Sequence, residues 1–155
     1  MHFTHQESHM ISVLAGQGEI IKLKKAVHEL AERENTTPAE VLITCKDDYQ
    51  QTSAHMAAKS GQSRSIEALA ELVGDDEKKS FFFNMANRFT GDRPVHTAMR
   101  HGYFDVFKAL VRHGADPTVK NRFGDAVTDY QGDYEAEEIQ TIVDEYNKRV
   151  SKGVE

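Results

Sequence analysis

The feature that most limits the fold is a ten-residue stretch that occurs twice. The stretch TSAHMAAKSG, Thr52 to Gly61, returns 41 residues later as RPVHTAMRHG, Arg93 to Gly102. The alignment places His55 over His96, and a segment with apolar residues at helical spacing follows each closing glycine. Each copy therefore predicts a short helix, a glycine turn and a second helix. One such unit cannot bury its own apolar stripe, so the chain has to stack its units against one another.

The same frame extends over nearly the whole sequence. Upstream, Gly18 aligns with Gly61, and downstream NRFTGDRPVH is echoed by NRFGDAVTDY, with Gly91 and Gly124 standing 33 residues apart. The segment YEAEEIQTIVDEYNKRV predicts a last helix with one apolar face, formed by Ile139, Ile142, Val143 and Tyr146. We therefore predict one all-α domain, residues 1–155, with four units at about 4–34, 47–80, 88–120 and 121–150. Residues of about 35–46 and 75–87 are predicted insertions.

The third unit resembles a known family. GDRPVHTAMRHGYFDVFKALVRHGADP, Gly91 to Pro117, is similar almost throughout to the ankyrin-repeat motif G-x-T-P-L-H-x-A-x-x-G…L-L-x-x-G-A-D. The second copy matches over its first helix, and the first and last copies are degenerate. The resemblance implies an ankyrin-repeat solenoid of about four helix-turn-helix units with turn or hairpin tips and two inter-repeat insertions. It also implies a concave face, built from turn tips and first helices, whose usual ligand is another protein.

Both insertions carry helical signals. In the first, Thr37 is a capping residue, Pro38 takes the first helical position and Glu40 the third, which predicts a short extra helix. The second runs from acidic residues into three consecutive phenylalanines, Phe81–Phe83. These are predicted to extend a helix that packs on the stack, with an exposed hydrophobic docking patch as the alternative.

The repeated histidines are predicted to be structural. The resemblance implies that His55 and His96 are linkers whose ring nitrogens hold neighbouring loop backbone and hydroxyl groups. Their repetition argues against catalysis, because an active site needs different groups converging on one point. Thr52 can cap the helix that contains His55. In the third unit Arg93 stands at the position of Thr52, so His96 has no threonine hydroxyl there to contact. The predicted structural set also contains the turn glycines Gly61, Gly91, Gly102 and Gly124.

Other candidates for chemistry are few. Three histidines lie near the amino terminus: His2, His5 and His9. A helix would bring them to one face, where they would bind Zn²⁺ or Ni²⁺, but this terminus is expected to be extended or frayed. His101 and His113 are predicted to be solvated, and Cys45 to be an inert thiol without an activating base. No phosphate-binding loop, zinc-protease motif or C-x-x-C occurs. We therefore predict no enzyme, no metal, no cofactor and no small-molecule substrate.

Composition sets the compartment and the class of partner. A single cysteine excludes an internal disulfide framework and fits a reducing compartment. No segment is apolar enough for a secretory signal or a membrane helix, so a cytoplasmic protein with no membrane partner is expected, and a nuclear one is also possible. The net charge of −6 argues weakly against nucleic acid as the main partner.

The resemblance carries candidate partner-binding residues onto the tips and first helices of three units. They are Asp48, Tyr49, Gln51, Lys59 and Ser60; Phe89, Thr90, Asp92, Arg100 and His101; and Arg122, Phe123 and Asp125. Tyr49, Phe89 and Phe123 recur at one location in successive tips, and aromatic residues beside arginine are typical of interface hot spots. The alternative is that these rings fold back on adjacent turns.

Charge is unevenly distributed along the stack. Residues 88–122 contain seven Lys or Arg and three Asp or Glu, whereas residues 123–155 contain nine acids and three bases. A partner with an acidic surface over the third unit is therefore plausible, and head-to-tail self-association is an alternative. We predict a protein-interaction module, a small intracellular adaptor, scaffold or inhibitor. The alternative is a nucleic-acid or chromatin-associated regulator that uses the basic third unit.

Overall fold

A computed structural model describes residues 2–130 and 136–154. Over these residues the chain is helical and contains no strand, which confirms the predicted all-α class. The helices are α1 His5–Gln17, α2 Ile20–Arg33, α3 Pro38–Thr44, α4 Ser53–Lys59, α5 Ser63–Val73, α6 Asp76–Phe83, α7 Pro94–Arg100, α8 Phe104–Arg112, a 3₁₀-helix Val127–Tyr130 and α9 Ala136–Val154.

The helices form two layers. The first helices of successive units, α1, α4 and α7, pack side by side and continue into the 3₁₀-helix, while α2, α5, α8 and α9 form the second layer. Apolar residues of α5 and α8 point between the layers and are completely buried, among them Ile66, Leu69, Phe107 and Leu110. Each such side chain stabilises the stack by about 1.5–3 kcal/mol through removal of apolar surface from water.

The turn between the two helices of a unit requires glycine. Gly61 follows α4 with a φ of 73°, a left-handed conformation that other residues adopt only with strain. A Cβ atom at this position would lie only 2.7 Å from the ring of Tyr103 in the next unit. The repeated glycine therefore permits both the turn and the close approach of neighbouring units.

The first insertion forms the predicted extra helix. The hydroxyl of Thr37 accepts a hydrogen bond of 3.2 Å from the backbone N–H of Glu40, and Pro38 opens α3. Val41 and Leu42 are completely buried where α3 packs against α2 and α5. The insertion is therefore part of the core.

The second insertion also packs on the stack, although only two of its three phenylalanines are buried. Asp75 caps α6, which ends at Phe83 and packs against α3 and α5. Phe82 and Phe83 are completely buried, whereas Phe81 is 60% exposed. Asn84 then joins this helix to the loop after α8 through hydrogen bonds to Gly114 and Asp116. The packing prediction is thus correct for two rings, and the exposed alternative describes the third.

The two ends of the chain differ from expectation. The amino-terminal segment is helical from His5, because Thr4 and Glu7 form a capping box, so the expectation of an extended or frayed terminus was wrong. In the predicted fourth unit, one 3₁₀ turn, Val127–Tyr130, stands where the first helix was expected. The predicted last helix began at Tyr134, which lies outside the described residues, and α9 is described from Ala136. No helix of the described ranges is long and apolar enough to cross a membrane.

Candidate protein-binding face

Each turn tip is built around one Asp or Asn side chain. These residues are Asp47, Asn87 and Asn121. In each, one side-chain oxygen accepts two hydrogen bonds of 2.8–3.0 Å from backbone N–H groups two to four residues later in the chain. Such short polar side chains close tight turns because they replace the backbone acceptor that a turn lacks. Three successive tips therefore have the same architecture. These three residues were not predicted, although the repeated N-R-F of the third and fourth units indicated two of them.

Neighbouring tips are joined by backbone hydrogen bonds. The N–H of Arg88 donates to the carbonyl of Tyr49 at 2.7 Å, and the N–H of Arg122 donates to the carbonyl of Thr90 at 2.9 Å. Gly91 has a φ of 69°, and the side chain of Arg122 lies so close that a Cβ at Gly91 would be 2.8 Å from its Cγ. The tips are therefore fixed to each other as a continuous row.

The aromatic residue of each tip is two positions beyond the capping Asp or Asn. Tyr49, Phe89 and Phe123 are 54%, 58% and 71% exposed. The rings of Tyr49 and Phe89 meet edge to face with 5.3 Å between centroids. With Gln51, Asn87 and Thr90 they line a shallow groove of about 310 Å³. The first two rings thus contact adjacent turns, as one alternative expected, and still present more than half of their surface to solvent.

The first helices add polar groups beside this row. Lys59 and Ser60 end α4 and are exposed, and His101 is exposed after α7, where its ring stacks on Tyr103 with 6.4 Å between centroids. Arg100 is also exposed, but it pairs with Asp92 and donates to the hydroxyl of Tyr130 at 3.0 Å. Part of its guanidinium is therefore occupied within the protein.

Asp92 does not belong to the exposed tip surface. It was expected to face a partner, whereas its side chain is buried and accepts hydrogen bonds from Arg100 and from Asn121, the latter at 2.9 Å. Burial opposes ionisation, but these two donors hold the pKa of Asp92 below its ordinary value. The hydroxyl of Tyr130 extends this network to Asp125 at 3.2 Å. Asp92 therefore joins the third unit to the fourth, and Asp125 holds the hydroxyl of Tyr130 that Arg100 contacts.

The repeated histidines fix the tips to the helices. Nδ1 of His55 accepts the backbone N–H of Thr52 at 3.1 Å, so Nε2 carries the proton and donates to the carbonyl of Asp92 at 2.9 Å. His96 accepts the N–H of Arg93 at 3.0 Å and donates to the carbonyl of Val119 in the same way. Each ring therefore joins the start of its own helix to the tip segment of the next unit.

Acidification is expected to destabilise the stack. Burial lowers the pKa of His55 to about 4 from an ordinary value of 6.5, and burial also lowers the pKa of His96. Below pH 6.5 the unfolded chain takes up protons that the folded chain excludes. The free energy of unfolding should therefore fall from about pH 6.5 down to about pH 4, the folded-state pKa of His55, by up to about 1.4 kcal/mol per pH unit for that group. Urea titrations at stepped pH measure this slope, and a flat profile would contradict the prediction.

The remaining histidines and the cysteine named in the sequence analysis lie away from the tip row or contact other side chains of the protein. Nε2 of His113, which was expected to be solvated, lies 2.7 Å from a carboxylate oxygen of Glu67, so that expectation was wrong. Cys45 is buried, and burial raises the pKa of its thiol. His5 is on α1, 3.6 Å from Asp48. Among the described side chains, no group of three potential metal ligands was found.

Comparison with known proteins gives the same architecture. A family model described as ankyrin repeats, in three copies, matches residues 6–121. Among solved structures, the chain is similar to the chaperone in the crystal structure of the yeast ribosomal protein Rps3 in complex with its chaperone Yar1. The two are 27% identical, with a TM-score of 0.71, over 96% of this chain and 95% of that chain. No curated protein sequence matches.

Proposed function

Because the chain belongs to the ankyrin-repeat family, we propose that it is a protein-interaction module that holds a partner protein on its concave face. The tip row and the adjacent ends of α4 and α7 form the binding surface. The proposal also assigns the module no catalysis and no cofactor: an adaptor, scaffold or inhibitor acts through what it binds.

The observation that carries the proposal is the exposed aromatic row. Three large rings stand at one register of three successive tips and remain more than half exposed. Apolar side chains that are grouped on one exposed surface often mark an interaction site, and aromatic residues are enriched in interface hot spots. The backbone bonds between tips hold these rings in place before any partner arrives, which lowers the entropic cost of binding.

Removal of the tip rings is expected to abolish partner capture without unfolding the protein. In a quantitative pull-down from the native cell, Tyr49→Ala and Phe89→Ala should each lower recovery of the specific partner at least about tenfold, because hot-spot rings contribute about 2 kcal/mol or more. Melting temperatures should fall by no more than a few degrees, since both rings are more than half exposed and lose mainly their contact with each other. Ile21→Ala is the matched control, an 85% exposed apolar residue on α2 in the other layer. Undiminished capture by the tip variants would refute the proposed face.

A chaperone role is a second candidate, favoured by the similarity to Yar1 along nearly the whole of both chains. In this version the partner is a ribosomal protein, as Rps3 is for Yar1. The same pull-down discriminates: a ribosomal protein captured through the tip row, and aggregating without the module, would support the chaperone role. A folded signalling or regulatory protein would support the adaptor role.

A nucleic-acid partner receives less support. Two of the seven cations of residues 88–122 are already neutralised, since Arg100 pairs with Asp92 and Arg112 with Glu67. The nine acids of residues 123–155 would oppose a phosphate backbone nearby, although Asp133, Glu135 and Glu155 among them lie outside the described residues. Capture that persists after nuclease treatment would exclude this alternative.

A further inference from the structure

The residue just before each tip aromatic is charged, and the charges are ordered along the stack. Asp48, Arg88 and Arg122 each follow a capping Asp or Asn by one position and precede the ring by one. The second, third and fourth units therefore present Asp-Tyr, Arg-Phe and Arg-Phe at equivalent places. All three charged side chains are exposed.

These three charged side chains contribute little to the stability of the fold. Over the described residues, neither Arg88 nor Arg122 makes an ion pair, unlike Arg100 and Arg112. The guanidinium of Arg88 lies 5.8 Å from the centroid of the Phe89 ring, and the stem of Arg122 lies over Gly91. Asp48 faces His5 at 3.6 Å, but both side chains are more than four-fifths exposed. An exposed pair of this kind contributes little to stability.

We infer that the partner segment bound by this row carries a basic side chain opposite the second unit and acidic side chains opposite the third and fourth, with apolar groups on the rings between them. The inference rests on the proposed function and specifies the chemistry of its ligand. Charge complementarity along an interface fixes register and suppresses wrong partners, which is what an ordered set of exposed charges can do.

The geometry also limits the conformation of the segment. The ring centroids of Tyr49 and Phe89 lie 5.3 Å apart, and backbone hydrogen bonds join successive tips, so equivalent positions of neighbouring tips are close together. A β-strand returns a side chain to the same face every second residue, after about 6.7 Å, and a polyproline-type chain does so every third residue, after about 9.3 Å. An extended segment of either kind can therefore place one side chain opposite each tip. The expected order is Lys or Arg, then Asp or Glu, then Asp or Glu, at a regular spacing of two or three residues.

A protein segment fits the row better than a nucleic acid does. A phosphate backbone carries negative charge at every step, whereas the row begins with Asp48 and Asp125 lies in its last tip. A uniform polyanion would be repelled at these places and attracted only between them. A peptide can change the sign of its charge from one side chain to the next.

The test is selection from a displayed library of random peptides about 12 residues long, long enough to span three tips. The full chain is compared with Asp48→Lys, Arg88→Glu and the control Lys108→Glu, which makes the same kind of charge change on α8, away from the tips. Wild type and the control should enrich peptides with one basic and then two acidic side chains at regular spacing. Asp48→Lys should convert the first position to acidic, and Arg88→Glu should convert the second to basic. Peptides selected on wild type should bind Arg88→Glu at least about tenfold more weakly, and peptides with the complementary charge should restore binding.

Several outcomes would overturn the inference. They are the absence of any enriched peptide, the same motif on all variants, or enrichment by net charge without spacing. Tighter binding of a single-stranded thymidine oligomer than of the selected peptides, with a steep salt dependence, would assign the row to nucleic acid instead. If Tyr49→Ala and Phe89→Ala still lose the native partner while the library shows no charge order, the concave-face proposal stands and only the charge order fails.

Discussion

Replacing His55 by alanine is expected to lower the free energy of unfolding by about 3 kcal/mol. The completely buried ring joins the N–H of Thr52 to the carbonyl of Asp92, and both groups would be left without a partner. Each unsatisfied buried group costs about 1–3 kcal/mol, and the cavity left by the ring adds to this. For a chain of this length the melting temperature should fall by about 6–12 °C. Urea and thermal unfolding followed by circular dichroism measure both quantities.

The control for this variant is His101→Ala. His101 is exposed, and over the described residues its ring stacks only on that of Tyr103, so its removal should change stability by less than about 0.5 kcal/mol. The His55 variant should also lose part of the dependence of stability on pH, because the group that resists protonation is gone. Equal stabilities for the two variants would show that the repeated histidine does not join the units.

The effect of His55 should reach the tip row as well. Its bond to the carbonyl of Asp92 fixes the segment that carries Thr90 and Gly91, and the carbonyl of Thr90 accepts the bond from the next tip. Loss of the ring therefore loosens the connection between the third and fourth tips. Stability and binding are linked here, because the residues that hold the units together also position the surface.

Local rules explain why much of the fold could be predicted. The turn glycine at position 61, the cap at Thr37 and the apolar periodicity of α5 each act within a few residues, so the sequence alone displays them. The repeat then converts one local unit into a stack, because equivalent residues must meet equivalent neighbours. The row of tip aromatics was visible for the same reason: it recurs at one register.

At the amino terminus the wrong expectation overlooked a local signal, the capping box of Thr4 and Glu7, whereas two other errors came from contacts between units, which no local pattern reveals. Asp92 was taken as an exposed tip residue, yet its side chain is buried and accepts hydrogen bonds from Asn121, 29 residues away, and from Arg100, which also bonds to Tyr130. His113 was taken as solvated, yet Glu67 of the preceding unit meets it. Polar side chains are ordinarily exposed unless a hydrogen-bonding group from another part of the fold packs against them. The sequence does not show which distant group that is.

The three phenylalanines of the second insertion allow a test of burial within one helix. Phe83→Ala is expected to lower the free energy of unfolding by about 3–5 kcal/mol, because its ring is completely buried on the stack and its loss leaves a cavity. Phe81→Ala should change the free energy by less than about 0.5 kcal/mol, because that ring is 60% exposed. Both are Phe-to-Ala changes in the last turn of α6, so helix propensity changes almost equally and the difference isolates packing. Paired urea titrations measure that difference.

The result decides what the insertion is for. A large effect for Phe83 alone means that α6 is a structural addition to the solenoid, held by its buried rings and by the bonds of Asn84 to the loop after α8. Equal, small effects would mean that α6 contributes little to the stack and that its packing against α3 and α5 does not stabilise the fold. A stability loss shared by both variants would contradict the burial of one ring and the exposure of the other. Because the tip row lies on a different part of each unit, partner capture by the Phe81 variant should equal that of the wild type, which separates the insertion from the proposed binding face.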